Sequence, residues 1–221
     1  MSFKGEIEAV CPNNCESFRA EVWSFIHGEE SPQLRMALLA RECNLIVCPS
    51  CEAIFFPPEP YVYFESRAEI LAFVFPETYR PREAYWREKM NSDFKAMKEN
   101  LGAMIPVDVE PGIFFGIEDL ALLLEGEDYR GEEREVMECI AQGLGLFLYR
   151  VSPQYARRNK VPGSLPYVLA GGSQATRESV IHGLQAVLAA NDQLRAYQEF
   201  LEILKSSASH KLPPASKIRP A

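Results

Sequence analysis

Up to about residue 80 the apolar positions come in short runs or alternate in twos, and beyond it they recur every three to four residues. "EIEAVCP" (6–12) and "NLIVCPSCEAIFF" (44–56) carry β-branched and aromatic runs, each interrupted by a Cys-Pro turn. "YVYF" (61–64) and "ILAFVF" (70–75) predict further short strands, the latter stopped by Pro76. Between the cysteine clusters, "SPQLRMALLAREC" predicts a helix with Ser31 as its N-cap and Pro32 at its first helical position.

Past residue 81, Trp86, Met90, Phe94, Met97 and Leu101 share one helical face, with Pro81 before the helix and Gly102 placed to end it. "AMIPVDVEPGIFF" reads as extended. "IEDLALLLEGED" predicts a short apolar helix closed by Gly126, and "EEREVMECIAQGLG" predicts another with acidic residues in its first turn. A Pro/Gly-rich crossing (152–173) leads to what the spacing predicts as the longest helix, about 174 to 205. Ile181, Leu184, Leu188, Leu194, Tyr197, Leu201 and Leu204 form its apolar stripe, interrupted by Asn191. Such a stripe needs cover, either from the helices of residues 84 to 143 or from a second copy in a homodimer through helix 174–205, where Asn191 would fix the register. The expected organisation is a β-rich domain over 1–125, a helical region over 126–205 and a polar, Pro-rich, basic tail over 206–221 that is flexible or lies along a surface.

Composition narrows the functional classes. Of the 221 residues 47% are hydrophobic and 24% charged, ordinary globular proportions with material for a core. The net charge of −8 argues against a general phosphate-binding surface, so nucleic acid is not an expected partner. The basic clusters are "YARRNK" (155–160) and the tail. The N-terminus lacks an apolar core of signal-peptide length, and no run reaches the roughly 18 apolar residues of a membrane span. The expectation is a soluble, cytoplasmic protein whose thiols stay reduced.

In that setting paired cysteines point to metal. Cys48 and Cys51 form a C-x-x-C turn, and Cys11 and Cys15 a C-x-x-x-C turn. Structural zinc takes four tetrahedral ligands and favours thiolate, and each turn supplies half a site. The expectation is one zinc ion per chain, with iron as the other metal such a site can hold. A redox reading of Cys48 and Cys51 is weaker, because "CPSC" leads into a strand and not into the helix N-terminus that activates a thiol. Cys43 and Cys139 read as buried, inert core thiols. His27, which precedes Gly28 in a predicted turn, His182 on a helix and His210 in the tail share no ligand spacing, and the acidic run at 126–138 reads as a solvated face.

With "CPNNC" (11–15), "NLIVCPSC" (44–51) and "PPEPYVYFESRAEILAFVFP" (57–76) in view, the N-terminal half resembles the CpXC domain family over roughly residues 5 to 125. The resemblance implies that Cys11, Cys15, Cys48 and Cys51 correspond to that family's four cysteines, and it implies no particular activity. Two departures stand out: the first motif is longer by one residue, and Glu16 and Glu52 stand where a glycine often follows a knuckle. The fold expected is α+β, a small β-rich, zinc-ribbon-like knuckle domain followed by a helical region. The function expected is that of a non-enzymatic, metal-stabilised module that binds a protein partner. The alternatives are a thiol–disulfide oxidoreductase using Cys48 and Cys51, and a zinc-ribbon nucleic-acid binder.

Overall fold

The computed structural model describes residues 1–101, 109–169, 174–206 and 211–216. The chain divides into two compact units, Met1–Gly126 and Glu127–Ala221. The predicted helix end at Gly102 and the histidine at position 210 lie outside the described residues.

The first unit carries strands β1 (Phe3–Ala9), β2 (Phe18–His27), β3 (Ile46–Val47), β4 (Ile54–Phe55), β5 (Tyr61–Glu65), β6 (Ile70–Phe75) and β7 (Gly112–Phe115). Its helices are α1 (Pro32–Leu39), α2 (Glu83–Leu101) and the first turns of α3 (Glu118–Gly143). Five strands form a mixed sheet in the order β1-β2-β5-β6-β7, and β3 pairs with β4 as a separate antiparallel hairpin. The run ILAFVF of β6 is buried at every position because both faces of the sheet are covered. Ile70, Ala72 and Val74 pack with Leu34 and Leu38 of α1 and with Leu120 and Leu124 of α3. Leu71, Phe73 and Phe75 pack on the other side with Met90 of α2, flanked by Trp86, Phe94 and Met97. The architecture is α+β. The knuckle hairpins are attached to a full five-stranded sheet, which is larger than a compact zinc ribbon.

Ser31 occupies the N-cap position of α1 but makes no side-chain cap; its hydroxyl instead meets that of Ser2 at 2.7 Å. His27 is the last residue of β2, paired with Phe64 of β5, and Gly28 opens the turn that follows. β2 is a ten-residue strand to which the sequence pattern assigned no element.

The second unit contains the remainder of α3, β8 (Phe147–Arg150), α4 (Pro153–Asn159), β9 (Ser164–Tyr167), α5 (Arg177–Ala190) and α6 (Arg195–Ser206). The region expected to be helical thus holds an antiparallel strand pair, β8 with β9, joined through α4. Of the tail, residues 215 and 216 lie against the second unit: Ala215 bridges to Val151, and Ser216 N–H donates to the Arg150 carbonyl at 2.9 Å.

Three further expectations are corrected. α3 runs unbroken for 26 residues through Gly126. A helical glycine costs only about 1 kcal/mol relative to alanine, less than is gained by burying Leu120 and Leu124 on one side and Met137 on the other. The helix expected over 174–205 is two helices. Asn191 is extended (φ −149°, ψ 103°), and its side-chain oxygen accepts from Gln193 N–H at 3.0 Å, the local bonding that takes asparagine out of a helix. All seven residues of the stripe belong to the unit's own core, Leu184 and Leu204 fully enclosed, while Asn191 is exposed. Finally, Cys139 is exposed, because α3 buries Met137 and Ala141 on the opposite face. Cys43 is buried as expected.

Candidate metal centre

Each knuckle is the turn of a hairpin. Ala9 of β1 pairs with Phe18 of β2, so Cys11 and Cys15 lie in the loop joining those strands. Val47 of β3 pairs with Ile54 of β4, so Cys48 and Cys51 lie in the tighter loop between them. A small core of Ala9, Val22 and Ile46 joins the hairpins beneath the cysteines, and Phe18 meets Phe55 edge-on with ring centres 6.4 Å apart.

Hydrogen bonds shape the loops. Asn14 N–H donates to the Cys11 carbonyl at 3.0 Å, with Asn14 itself in the left-handed region (φ 57°). Asparagine takes that conformation more readily than most residues, which accommodates the extra residue of the first motif. In the second knuckle Glu52 N–H donates to the Cys48 carbonyl at 2.9 Å, and Glu52 holds φ 59° where a glycine would rest more easily. Glu16 has no positive φ, so only one of the two non-glycine positions bears this strain.

The four cysteine sulfurs come together within 4.8 Å of one another. Cys11 and Cys48 are buried, Cys15 is half-buried and Cys51 is exposed. Metal–sulfur bonds of about 2.3 Å in a tetrahedron place the sulfurs about 3.8 Å apart. The Cys11–Cys51 separation of 3.6 Å is close to that edge and far from the roughly 2.05 Å of a disulfide. Small inward shifts of the looser pairs complete a tetrahedron, so the donor set fits a metal ion.

The electrostatics suit a cation. The Ala53 backbone N–H, then the Asn13 amide and the neighbouring thiols Cys15 and Cys11, hold Cys51 down to about 6. Cys15 is pushed up to about 12, first by its hydrogen bond with Cys51 and then by burial. Cys11 is raised, chiefly by burial. One thiolate forms readily while Cys11 and Cys15 resist ionising; a bound cation removes that resistance.

Several supporting residues carry no sequence signal. Asn13 donates to the Cys51 sulfur from its side chain at 3.5 Å and to the Cys11 sulfur from its backbone at 3.4 Å. The Asn44 amide pairs both ways with the backbone of Trp23, accepting at 2.7 Å and donating at 2.9 Å. It thereby ties the entry to the second knuckle onto β2. Arg41 (φ 60°) reaches Glu118 at 2.8 Å and Glu125 at 2.9 Å, fixing the preceding turn to α3. Neither described histidine reaches the cluster: His27 stacks edge-on with Phe64, and His182 is exposed on α5. The acidic run is not all solvated, since buried Glu127 accepts from Arg130 at 3.0 Å and pairs with Arg157 at 3.2 Å. Among the described residues no helix is long and apolar enough to cross a membrane.

Fold and cluster together define a domain equipped to hold a metal ion on paired cysteine knuckles. Residues 9–121, just over half the chain, match the family model described as CpXC protein, and the chain belongs to that family. No curated protein and no solved structure matches it.

Proposed function

We propose that the chain is a structural zinc protein, non-enzymatic, in which Cys11, Cys15, Cys48 and Cys51 hold one zinc ion that fixes an interaction surface. The convergence of four sulfurs within 4.8 Å carries this reading. Thiolates occupy every position of a tetrahedral site and leave no open position for a substrate, which is the arrangement of structural rather than catalytic zinc. Interaction is supported by the apolar rim of the knuckles: Val10 is 66% exposed, Val47 56% and Ile54 68%. Nucleic-acid binding draws less support, since Arg157 of "YARRNK" is engaged by Glu127 and the overall charge is −8.

The test is elemental analysis of protein purified without added metal. About one zinc per chain is expected, and cobalt exchange should give the strong visible absorption of a tetrahedral thiolate site. Cys48→Ser should lose the metal and lower the melting temperature. Iron in place of zinc would overturn the identity of the ion, and metal-free protein melting like the native form would overturn the site.

The thiol oxidoreductase reading has one observation in its favour, the exposed Cys51 held down to about 6. The same Ala53 and Asn13 donors serve a metal-bound thiolate equally well, and Cys51 leads into β4, not a helix. No turnover is expected in an insulin-reduction assay. Turnover by metal-free protein that disappears in Cys51→Ser would establish the redox reading.

A further inference from the structure

The two faces of the β3–β4 hairpin differ in what covers them. Ile46 and Phe55 pair across it and turn inward, Ile46 into the small core with Ala9 and Val22, and Phe55 against Phe18. Side chains alternate along a strand, so the next pair, Val47 and Ile54, faces the other way. Cys48 N–H donates to the Ala53 carbonyl at 2.9 Å, which carries the same register into the knuckle. Toward the base of the hairpin the alternation turns Leu45 and Phe56 outward as well. All four are exposed, Leu45 by 36%, Phe56 by 47%, Val47 by 56% and Ile54 by 68%, and none joins an apolar cluster among the described residues. Four large apolar side chains on one face of a hairpin form a patch, unlike single apolar residues scattered over a surface. The rim of the patch is acidic. At its base the Glu42 carbonyl accepts from Leu45 N–H at 3.1 Å, and Glu59 follows Phe56 by three residues; Glu52 stands in the turn at the tip. These three glutamates are exposed and have no ion-pair partner among the described residues. From Glu42 to Ser66 the sequence has no Lys, Arg or His to offset them.

We propose that this face docks a basic, apolar segment of a partner protein, whose large apolar side chains cover Val47 and Ile54 and whose Lys or Arg side chains meet Glu42, Glu52 and Glu59. The proposal rests on the reading of the chain as a metal-fixed interaction module and supplies the chemistry of what that module binds. Charge selects among the occupants open to such a patch. A second copy would set three unpaired carboxylates from each side around one apolar contact, between chains of net charge −8. Nucleic acid and anionic lipid are repelled by the same rim. A cationic segment is drawn in by the rim and held by the apolar face. Rim charges set the rate and salt dependence of encounter, and the buried contacts set the lifetime of the complex. Four side chains make a small face, so the contact belongs to the transient class.

Three synthetic peptides test it on the full-length protein: one with a Leu-Phe-Leu centre flanked by lysines, a twin with glutamates for the lysines, and a twin with serines for the apolar centre. Backbone amide shifts of Leu45, Val47, Ile54 and Phe56 report occupancy. The first peptide should move these amides and bind about tenfold more tightly than either twin. Ile54→Ser should weaken it about tenfold. Because Ile54 is exposed, that variant should keep the wild-type metal content and melting temperature. Glu42→Gln, Glu52→Gln and Glu59→Gln combined should erase the advantage of the lysine peptide over its glutamate twin. The proposal falls if the serine twin binds as well, since charge alone then explains the contact. It falls if the shifts lie elsewhere on the chain, or if Ile54→Ser changes nothing. A particle mass that doubles with concentration and returns to one chain in Ile54→Ser would make a second copy the occupant and overturn it too. Metal content measured on the same samples separates this proposal from the zinc reading. Metal-loaded protein that ignores all three peptides overturns the docking face and leaves the zinc site standing. Metal-free protein that binds the lysine peptide with the stated preferences upholds the docking face and overturns the zinc site.

Discussion

Within the cluster the four thiols are not equivalent, and the differences can be measured. Cys51 is held down to about 6, so at neutral pH without metal it is already a thiolate. Cys15, pushed up to about 12, and Cys11, also raised, are still protonated there. Metal binding at neutral pH must therefore displace the protons of Cys11 and Cys15 but not that of Cys51. The sign follows from the competition: lowering the pH adds protons to the thiols the metal needs, so affinity falls on acidification and rises with pH. Calorimetric titration of zinc in buffers of different ionisation enthalpy should show at least the two protons of Cys11 and Cys15 released per ion. Release of none would mean that the thiols are ionised beforehand and that this electrostatic ordering is wrong. The clustering of the four cysteines was legible in the sequence because two pairs at turn spacing can face one point. Asn13 and Asn44 were not, because each acts on a backbone or sulfur from a different hairpin, and that proximity exists only after folding.

Elements with a clear pattern could be read directly: the α2 stripe of Trp86, Met90, Phe94 and Met97, the continuous apolar run of β6 and the strand beginning at Tyr61 all stand where the sequence placed them. The misreadings came from giving local signals more weight than burial. Gly126 looked like a helix stop, yet a side chain there would meet nothing within 4 Å, and α3 continues through it. Asn191 looked like a seam residue in one long helix, yet its own hydrogen bonding ends α5. β2 went unread because its alternation at Phe18, Ala20 and Val22 gives way to a mixed run from Trp23 onward, where both faces are partly covered. Two alanine substitutions separate the roles glycine plays here. Gly126→Ala should stabilise the protein by roughly 0.5–1 kcal/mol, the helical penalty of glycine removed without a clash. Gly183→Ala should do the opposite, since its Cβ would lie 2.3 Å from the Pro166 carbonyl oxygen where α5 crosses β9. Overpacking against backbone costs about 1–3 kcal/mol, so denaturant midpoints should move in opposite directions. A destabilised Gly126→Ala would contradict an unbroken α3.

At the scale of the whole chain, the contribution of a metal bound at the four thiols should be confined. The β3–β4 hairpin has two residues in each strand and buries little besides Ile46 and Phe55, far too little for a two-stranded unit to hold itself in water. The loop of Cys11 and Cys15 is similarly bare, resting on Ala9 and Phe18. By contrast β6 is buried on both faces of the sheet, and the second unit has its own core around Leu165, Val180, Leu184 and Leu204. None of the four clustered cysteines lies in that second unit. Removing the metal should therefore release the knuckles without melting either main core. Hydrogen exchange followed with and without chelator is the measurement. Amides of residues 10–17 and 44–56 should lose protection by tenfold or more, reaching the rates of locally opened segments. Those of β6 and of α5 and α6 should keep theirs. Loss of protection along Ile70–Phe75 would mean that the ion supports the entire sheet, and loss in α5 would mean that its influence crosses into the second unit. Either result would replace local stapling with global stabilisation.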